Sequence, residues 1–252
     1  MPAVQWQVDV GNRILGALPQ SEFRRLSEHL ERVHLEKGKV VYVTGDTIRH
    51  AYFPLNGLLS LGLTTETGAS MDLAMIGEEG IAGLTVINKT GTIPYDLTVA
   101  VATEAWKIKA QVLEAEFDRG EALHDLVLAY LNILLGQISQ SSFCHRFHKL
   151  EAALSSWLLV VQDRLNSDTL NVTQELISNA LGVPRTGVTA AAGSLQRVGL
   201  IRYSRGRIVI LDRARLELQS CECYRIIRDR LKHFPGDSRN VDFRQTGPAR
   251  FR

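Results

Sequence analysis

Residues 173–188 have the sequence TQELISNALGVPRTGV, which carries the strongest fold signal in the chain. Thr173 suits a helix N-cap, because its hydroxyl can accept a hydrogen bond from an amide of the first turn. Gly182 stands where a left-handed C-cap would end that helix. Pro184 suits the first position of a second helix, since it has no amide hydrogen to leave unpaired there. The stretch therefore predicts two helices joined by a tight turn.

The second of these helices is predicted to be apolar on one face and polar on the other. Its apolar stripe, spaced by three or four residues, consists of Val188, Ala191, Leu195 and Val198. Its opposite face consists of Arg185, Thr186, Thr189, Gly193 and Gln196. A helix with one apolar, buried face and with hydrogen-bond donors near its N-terminus on the other face fits the major groove of DNA.

A basic hairpin is predicted directly after this helix. Residues 200–211 (LIRYSRGRIVIL) have the pattern of strand, turn and strand, with Arg202, Ser204, Arg205 and Arg207 around the turn. Residues 166–215 contain seven arginines, no lysine and three carboxylates, whereas the whole chain carries only +2. This local charge favours contact with DNA phosphates. We therefore predict a winged helix-turn-helix; the alternative, an ordinary helical domain with surface arginines, does not explain why caps, turn and hairpin agree.

These residues resemble the C-terminal domain of the Crp/Fnr transcription regulators. The resemblance lies in LGVPRTGV (181–188), LQRVGLI (195–201) and RGRIVIL (205–211). It implies that Arg185 reads a guanine in the major groove. Thr186 and Ala190 stand where the family often has a glutamate and a second arginine. The preferred DNA sequence is therefore expected to differ from the family's best-known site.

The region from about residue 35 to 110 is predicted to be an antiparallel β domain. Apolar residues alternate with polar ones, as at 59–64 and 97–101, and turn signals recur every 8–12 residues or so. A short helical start is predicted before it, over residues 13–33. The segments HAYFPLNGLLS (50–60) and AMIGEEGIAGL (74–84) resemble the β-roll of the same family.

In the nucleotide-binding members of that family, the roll holds a cyclic nucleotide. A Gly-Glu pair touches the ribose there, and an Arg-Ser pair clamps the phosphate. Gly77 and Glu78 match the first pair, but Tyr95 and Asp96 stand in place of the clamp. A phosphate facing a carboxylate with no guanidinium loses its charge-assisted hydrogen bonds, so cyclic AMP is disfavoured as the effector. The candidate effector pocket consists of Gly77, Glu78, Glu79, Gly80, Tyr95 and Asp96. Within it, Glu78 and Glu79 are favoured as turn residues over ligands.

A single long helix is predicted from Glu114 to about Phe143, followed by an amphipathic helix over 148–165 that packs beneath the helix-turn-helix. The long helix has two apolar stripes and therefore needs two partners. One stripe consists of Leu123, Val127, Tyr130, Leu134 and Ile138, and the other of Leu126, Leu131 and Leu135. We expect the partners to be the β domain and the same helix of a second subunit, as in a two-fold dimer; a buried core helix is the alternative. Residues 126–144 lack charge, but their polar last third argues against a membrane span.

The cysteines and histidines do not predict a metal site or a cofactor. An iron–sulfur sensor needs about four cysteines, mostly near the N-terminus, and none precedes Cys144. The cluster Cys144, His145 and His148 is interpreted as a hinge between two helices. The pair Cys221 and Cys223 lacks a second pair and is interpreted as packing thiols rather than a metal or redox site.

The chain is therefore predicted to be an α+β protein with an N-terminal β-roll (12–118), a dimerisation helix and hinge (119–147), a winged helix-turn-helix (148–220) and a mobile tail (235–252). We predict a homodimeric, cytoplasmic regulator that binds double-stranded DNA, with RNA polymerase as a further candidate partner and no membrane. Arg185 is expected to read bases with help from Thr186, Thr189 and Gln196. No enzymatic constellation is found, and a scaffold that kept the fold without reading DNA is the alternative. Whether the roll binds an effector stays open.

Overall fold

The computed structural model describes residues 10–204 and 206–235. They form an α+β structure in which an N-terminal β domain, a long helix and a C-terminal helical domain with a small sheet follow one another along the chain. This confirms the predicted fold class. The predicted mobile tail lies, from residue 236 onward, outside the described residues.

The β domain is an antiparallel roll of two sheets. Its strands are β1 (Glu31–Leu35), β2 (Val40–Tyr42), β3 (His50–Pro54), β4 (Leu58–Thr64), β5 (Ser70–Ile76), β6 (Asp96–Val101) and β7 (Thr103–Lys109). One sheet has the order β1-β7-β3 and the other β2-β6-β4-β5. Two short helices, α1 (Arg13–Gly16) and α2 (Gln20–Ser27), precede the roll.

The predicted helical start is too long at its C-terminal end. Helix α2 ends at Ser27, and Val33 belongs to β1, where it pairs with Ala105 of β7. Over a short stretch, the same spacing of apolar residues is compatible with a helix and with a strand. Here residues 31–35 form a strand because they pair with the edge of β7.

The single long helix predicted from Glu114 is also two helices, α3 (Ala110–Phe117) and α4 (Ala122–Phe147). The break contains Gly120, whose φ of +69° is a left-handed conformation that glycine adopts without strain. The buried carboxylate of Glu22 then accepts hydrogen bonds from the amides of Ala122 and Leu123. A carboxylate from α2 thus caps α4 and sets where it starts.

The C-terminal domain is built on α5 (Leu150–Leu165). Around it lie α6 (Gln174–Leu181), α7 (Arg185–Arg197), α8 (Arg213–Gln219), α9 (Glu222–Lys232) and a sheet of β8 (Thr169–Leu170), β10 (Arg207–Ile210) and β9 (Ile201–Ser204), in that order. Helix α5 lies beneath α6 and α7, as predicted, and Leu154, Leu158 and Val161 have no exposed surface. It is not the amphipathic helix that the spacing predicts, because its other side, including Ser155, Leu159 and Val160, is buried as well. The strand β8 was not predicted.

The sheet β2-β6-β4-β5 is buried on both faces: one face packs in the core of the roll and the other in the core of the C-terminal domain. Leu59 and Leu61 of β4 point into the roll, whereas Leu58 of the same strand and Met75 of β5 join the core of the C-terminal domain. Helix α6 therefore lies against the outer surface of β5.

A buried ion pair lies where the roll, α4 and α5 meet. The Nε of Arg164 in α5 donates to Oε1 of Glu79 at 2.8 Å, and both side chains are only 3% exposed. The Nη2 of Arg164 donates to Oε1 of Gln137 in α4 at 2.9 Å. The same Oε1 of Glu79 accepts from the Gly77 amide at 3.3 Å. One guanidinium therefore links three parts of the structure.

We predict that Arg164→Met costs about 3–5 kcal/mol of unfolding free energy, because it leaves the Glu79 carboxylate buried without its counter-charge. The double variant Arg164→Met with Glu79→Leu should regain most of this loss, since no unpaired charge remains. Urea unfolding followed by tryptophan fluorescence measures both. Arg24→Met, which removes an exposed arginine of α2, serves as the control. A loss below about 1 kcal/mol for the single Arg164 variant would contradict this account.

Candidate functional site

The two helices of the predicted helix-turn-helix begin and end close to where the sequence places them. The Thr173 hydroxyl accepts a hydrogen bond from the Leu176 amide at 3.2 Å, and Gly182 ends α6 with φ +61°. The Ser178 hydroxyl donates to the Val183 carbonyl and closes the turn. Pro184 is the N-cap of α7 rather than its first residue, one position from the prediction.

Helix α7 has the predicted two faces, with one error. Val188, Ala191 and Leu195 are buried, but Val198 is 53% exposed, because α7 ends at Arg197 and the chain turns away there. Ala192 is also buried. The polar face is exposed, and it consists of Arg185, Thr186, Thr189, Gly193 and Gln196. This face is therefore accessible to a binding partner.

Two of the predicted base readers, Arg185 and Thr189, make contacts inside the domain. Arg185 Nη2 lies 2.8 Å from Oε1 of Glu175 in α6, with both side chains more than half exposed. The Thr189 hydroxyl donates to the Arg185 carbonyl and accepts from Gln174. These contacts hold the N-terminal turn of α7 against α6. An exposed ion pair is worth no more than about 1 kcal/mol, so Arg185 is easily released to another acceptor.

Gln196 has a structural role that the sequence did not reveal. Its Oε1 accepts a hydrogen bond from the Tyr203 amide of β9 at 2.7 Å. This bond fixes the hairpin to α7, so the two predicted DNA-contacting elements keep one relative position.

The hairpin places basic side chains beside α7. Arg202, Ser204 and Arg207 are exposed, and Arg207 Nη2 is 3.4 Å from the Thr169 hydroxyl of β8. Arg205 lies outside the described residues. The arrangement of β9, β10 and β8 next to α7 is a winged helix-turn-helix, as predicted.

The six candidate effector-pocket residues have mostly intramolecular roles. Glu79 is paired with Arg164, which shows that it is more than a turn residue. Gly80 lies directly against the buried Tyr130 of α4: a Cβ at residue 80 would be 2.1 Å from the Tyr130 hydroxyl. The buried ring of Phe234 packs on Tyr130, with centroids 6.0 Å apart. The Tyr130 side chain thus occupies the space beside Gly80.

Tyr95 and Asp96 do not face this loop together. Tyr95 packs against the roll core, where burial raises the pKa of its hydroxyl to about 12. Asp96 accepts hydrogen bonds from the amide and hydroxyl of Thr44 and from the Thr64 hydroxyl. Partial burial works to raise the pKa of Asp96, but these hydrogen bonds outweigh it and the pKa lies below its usual range.

Asp96 instead lines a cavity of about 280 Å³ between the roll and α6. The charged residues of its wall are Lys37, Asp72, Asp96 and Glu175. Burial raises the pKa of the Asp72 carboxyl, and Lys37 Nζ donates to the Asn171 carbonyl across the domain boundary at 3.0 Å. With three carboxylates and one amine, the cavity does not favour an anion.

The structure rearranges the predicted cysteine and histidine groups. Cys144, His148, Cys221 and Cys223 come together, with ligand atoms all within 4.8 Å of one another. His145 is not among them, because its Nε2 lies 3.0 Å from the Ala180 carbonyl of α6. Cys221 and Cys223 are therefore not an isolated pair in space, because Cys144 and His148 lie beside them. The sequence carried no signal for this, since Cys144 and Cys221 are 77 positions apart.

Two protein-family models match the chain. Residues 32–119 match the cyclic nucleotide-binding domain, and residues 152–218 match the Crp-like helix-turn-helix domain. Together the two ranges cover more than half of the 252 residues.

Individual relatives span most of the chain at low identity. The global nitrogen regulator of Synechocystis sp. is 25% identical over 213 residues, which are 78% of this chain and 93% of the relative. The structure of FixK2 from Bradyrhizobium japonicum superposes with a TM-score of 0.67 at 16% identity, covering 76% of this chain and 98% of its own. A CRP-family transcriptional regulator from Thermus thermophilus has a TM-score of 0.64 at 20% identity, covering 75% and 96%. These two structures share the fold.

Proposed function

Because this chain belongs to the Crp/Fnr family of transcription regulators, we propose that it binds a specific, two-fold symmetric DNA site as a homodimer in the cytoplasm. DNA binding follows from the helix-turn-helix domain, and the family consists of regulators rather than enzymes. The observation that supports sequence-specific binding best is the exposed polar face of α7, with Arg185 at its N-terminal end and a basic hairpin beside it.

Base reading is assigned to the N-terminal half of α7. Arg185 presents a planar fork of donors that matches O6 and N7 of guanine. Its ion pair with Glu175 is exposed and weak, so exchanging the carboxylate for a base costs little. Thr186 is exposed one residue further on. Thr189 and Gln196 are assigned mainly to positioning α7 and the hairpin, because both make hydrogen bonds inside the domain.

Phosphate contacts are assigned to the hairpin. Arg202, Ser204 and Arg207 are exposed on β9 and β10, and Arg205 lies between them in the sequence. Such contacts orient a protein on the duplex without reading its sequence.

Dimerisation is assigned to the outer face of α4. Leu128 is 41% exposed and Leu135 is 61% exposed, while the opposite side of the helix, including Val127 and Leu134, is buried on the roll. The exposed residues along this face are Leu128, Asn132, Leu135, Ser139 and Ser142, of which the two leucines are apolar. Leu126 is buried, so the second apolar stripe runs through Leu128 instead. Helix α4 is also long and apolar enough to cross a membrane, with mean hydropathy 1.3, but in a regulator of this family an apolar outer face suits a second subunit.

Control by cyclic AMP is disfavoured. The space beside Gly80 is filled by Tyr130, the clamp positions carry Tyr95 and Asp96, and Glu79 is committed to Arg164. A cyclic phosphate would meet an aromatic wall and carboxylates without a free guanidinium from these positions.

The test of specific binding is selection of short DNA fragments by the purified chain, followed by affinity measurements on the selected and on random DNA. We predict that Arg185→Ala weakens the selected site by about 1–3 kcal/mol and changes random DNA little, since base contacts carry the specificity. Arg207→Ala should weaken binding to both kinds of DNA. It should also reduce the slope of log affinity against log salt concentration by about one. Arg24→Ala removes the same charge from α2 and serves as the control.

Equal losses on both kinds of DNA for Arg185→Ala would exclude its base-reading role. The absence of any selected sequence would instead favour a scaffold protein that keeps the fold without reading DNA.

We predict that Leu135→Glu converts the dimer to monomers, because it places a charge in the centre of the apolar face of α4. Sedimentation velocity measures this change, and affinity for a two-half-site DNA should fall at the same time. Leu218→Glu is the matched control, since Leu218 is also an exposed leucine (87%) but belongs to a different helix, α8. A dimer that survives Leu135→Glu places the subunit contact elsewhere.

Calorimetric titration with cyclic AMP is expected to show no binding tighter than about 1 mM. Tyr130→Ala, which opens space beside Gly80 but adds no guanidinium, should also fail to bind, because the phosphate still lacks a counter-charge. Micromolar binding by the wild type would mean that Tyr130 leaves this space and that the argument from the clamp positions is wrong.

A further inference from the structure

Three cysteines and one histidine converge where the end of α4 meets the start of α9. The Cys144 sulfur lies 3.5 Å from the Cys221 sulfur, and the Cys223 sulfur lies 3.4 Å from Nδ1 of His148. All four ligand atoms lie within 4.8 Å of one another. The three cysteines are buried, and the His148 side chain is 17% exposed.

We propose that Cys144, His148, Cys221 and Cys223 bind one Zn²⁺ ion. Three thiolates and one imidazole are an established ligand set for structural zinc. In a tetrahedral site with Zn–S of about 2.3 Å and Zn–N of about 2.0–2.1 Å, neighbouring sulfurs are roughly 3.8 Å apart and a sulfur and a nitrogen roughly 3.6 Å apart. The separations of 3.5 and 3.4 Å are close to these edges. Binding would release the thiol protons to solvent as the sulfurs become ligands.

The surroundings of the cluster are those of a ligand site rather than of packing thiols. His148 Nε2 lies 3.2 Å from the Glu222 carboxylate, which orients the ring so that Nδ1 faces the sulfurs. Gln140 Nε2 donates to the Cys223 sulfur at 3.1 Å. Ser156 Oγ lies 3.0 Å from the Cys221 sulfur. Metal-bound histidines and thiolates usually have such outer partners, whereas a cysteine that only fills space in a core needs none.

The position of the cluster indicates which parts of the structure the ion would connect. Cys144 lies in the last turn of α4, and His148 follows directly at the break between α4 and α5. Cys221 is the N-cap of α9, and Cys223 lies in its first turn. The ion would therefore tie the C-terminal helix to the hinge that joins the roll and the DNA-binding domain. This inference does not depend on DNA binding.

The experiment uses the full chain, purified under reducing conditions without chelator, and measures zinc per chain by elemental analysis. The expected result is one zinc per chain in the wild type and a loss of at least tenfold in zinc affinity for Cys223→Ser and for His148→Ala. Replacement of zinc by Co²⁺ should give the intense visible bands of a tetrahedral thiolate site. His145→Gln is the matched control: this histidine lies outside the cluster, and a glutamine amide can still donate to the Ala180 carbonyl.

A second measurement uses only the wild type, so that the proposal can be tested even if the variants do not fold. The three thiols should react slowly with a thiol reagent when zinc is present, and chelation should speed the reaction and lower the melting temperature. Absence of zinc together with failure to take up Co²⁺ would overturn the proposal. So would equal zinc retention by folded Cys223→Ser, or a Cys144–Cys221 disulfide in place of metal in the reduced, purified chain. An iron–sulfur chromophore would overturn the assignment to zinc.

Discussion

The buried contact between Arg164 and Glu79 is the interaction on which the relative position of the two domains depends. Neither charge reaches solvent, so each is tolerated only while the other is in place. Because Arg164 lies in α5 and also donates to Gln137 of α4, a shift of the DNA-binding domain against the roll would break two buried hydrogen bonds at once. Such a contact adds little net stability compared with an apolar pair, but it strongly disfavours other arrangements of the same elements.

The same contact changes how the loop of Gly77, Glu78, Glu79 and Gly80 is used. The family resemblance implies that this part of the roll touches a ribose in nucleotide-binding members. Here Glu79 binds Arg164, and Tyr130 lies against Gly80. The loop therefore serves contacts between the parts of one chain. A ligand could alter the domain arrangement only by binding one arrangement better than another, and at this loop it would have to displace those contacts first.

Helix α4 and the hinge after it carry a further set of interdomain contacts. One side of α4 is buried on the roll, its outer side carries exposed leucines, and its last turn lies beside α9 and α6. The C-terminal helix also returns to the roll, where Arg13 Nη2 donates to the Phe234 carbonyl at 2.7 Å. The two domains are thus held together at the Arg164 contact, at the hinge, at the C-terminal end and where α6 lies against β5, beside the cavity lined by Asp72 and Glu175.

Features whose signals lie within a few residues of each other could be predicted from the amino-acid sequence. Thr173 and Gly182 fixed the ends of α6, alternation predicted the strands of the roll, and the exposed polar face of α7 followed from its spacing. Capping and periodicity act over one or two turns, so a single sequence reveals them. The break before α4 and the strand β1 were missed, because a carboxylate of α2 and an edge of β7 decide them.

Which distant side chains meet depends on how the elements pack, and the sequence did not predict it. Arg164 and Glu79 are 85 positions apart, and Cys144 and Cys221 are 77 positions apart. The residues around Arg164 do not distinguish it from an ordinary surface arginine, and those around Cys144 and Cys221 do not distinguish them from packing thiols. These contacts arise from how α5 and α9 pack onto the roll and α4, since the desolvation of an ion pair and the geometry of a ligand cluster both depend on distances of a few ångström between residues far apart in the chain.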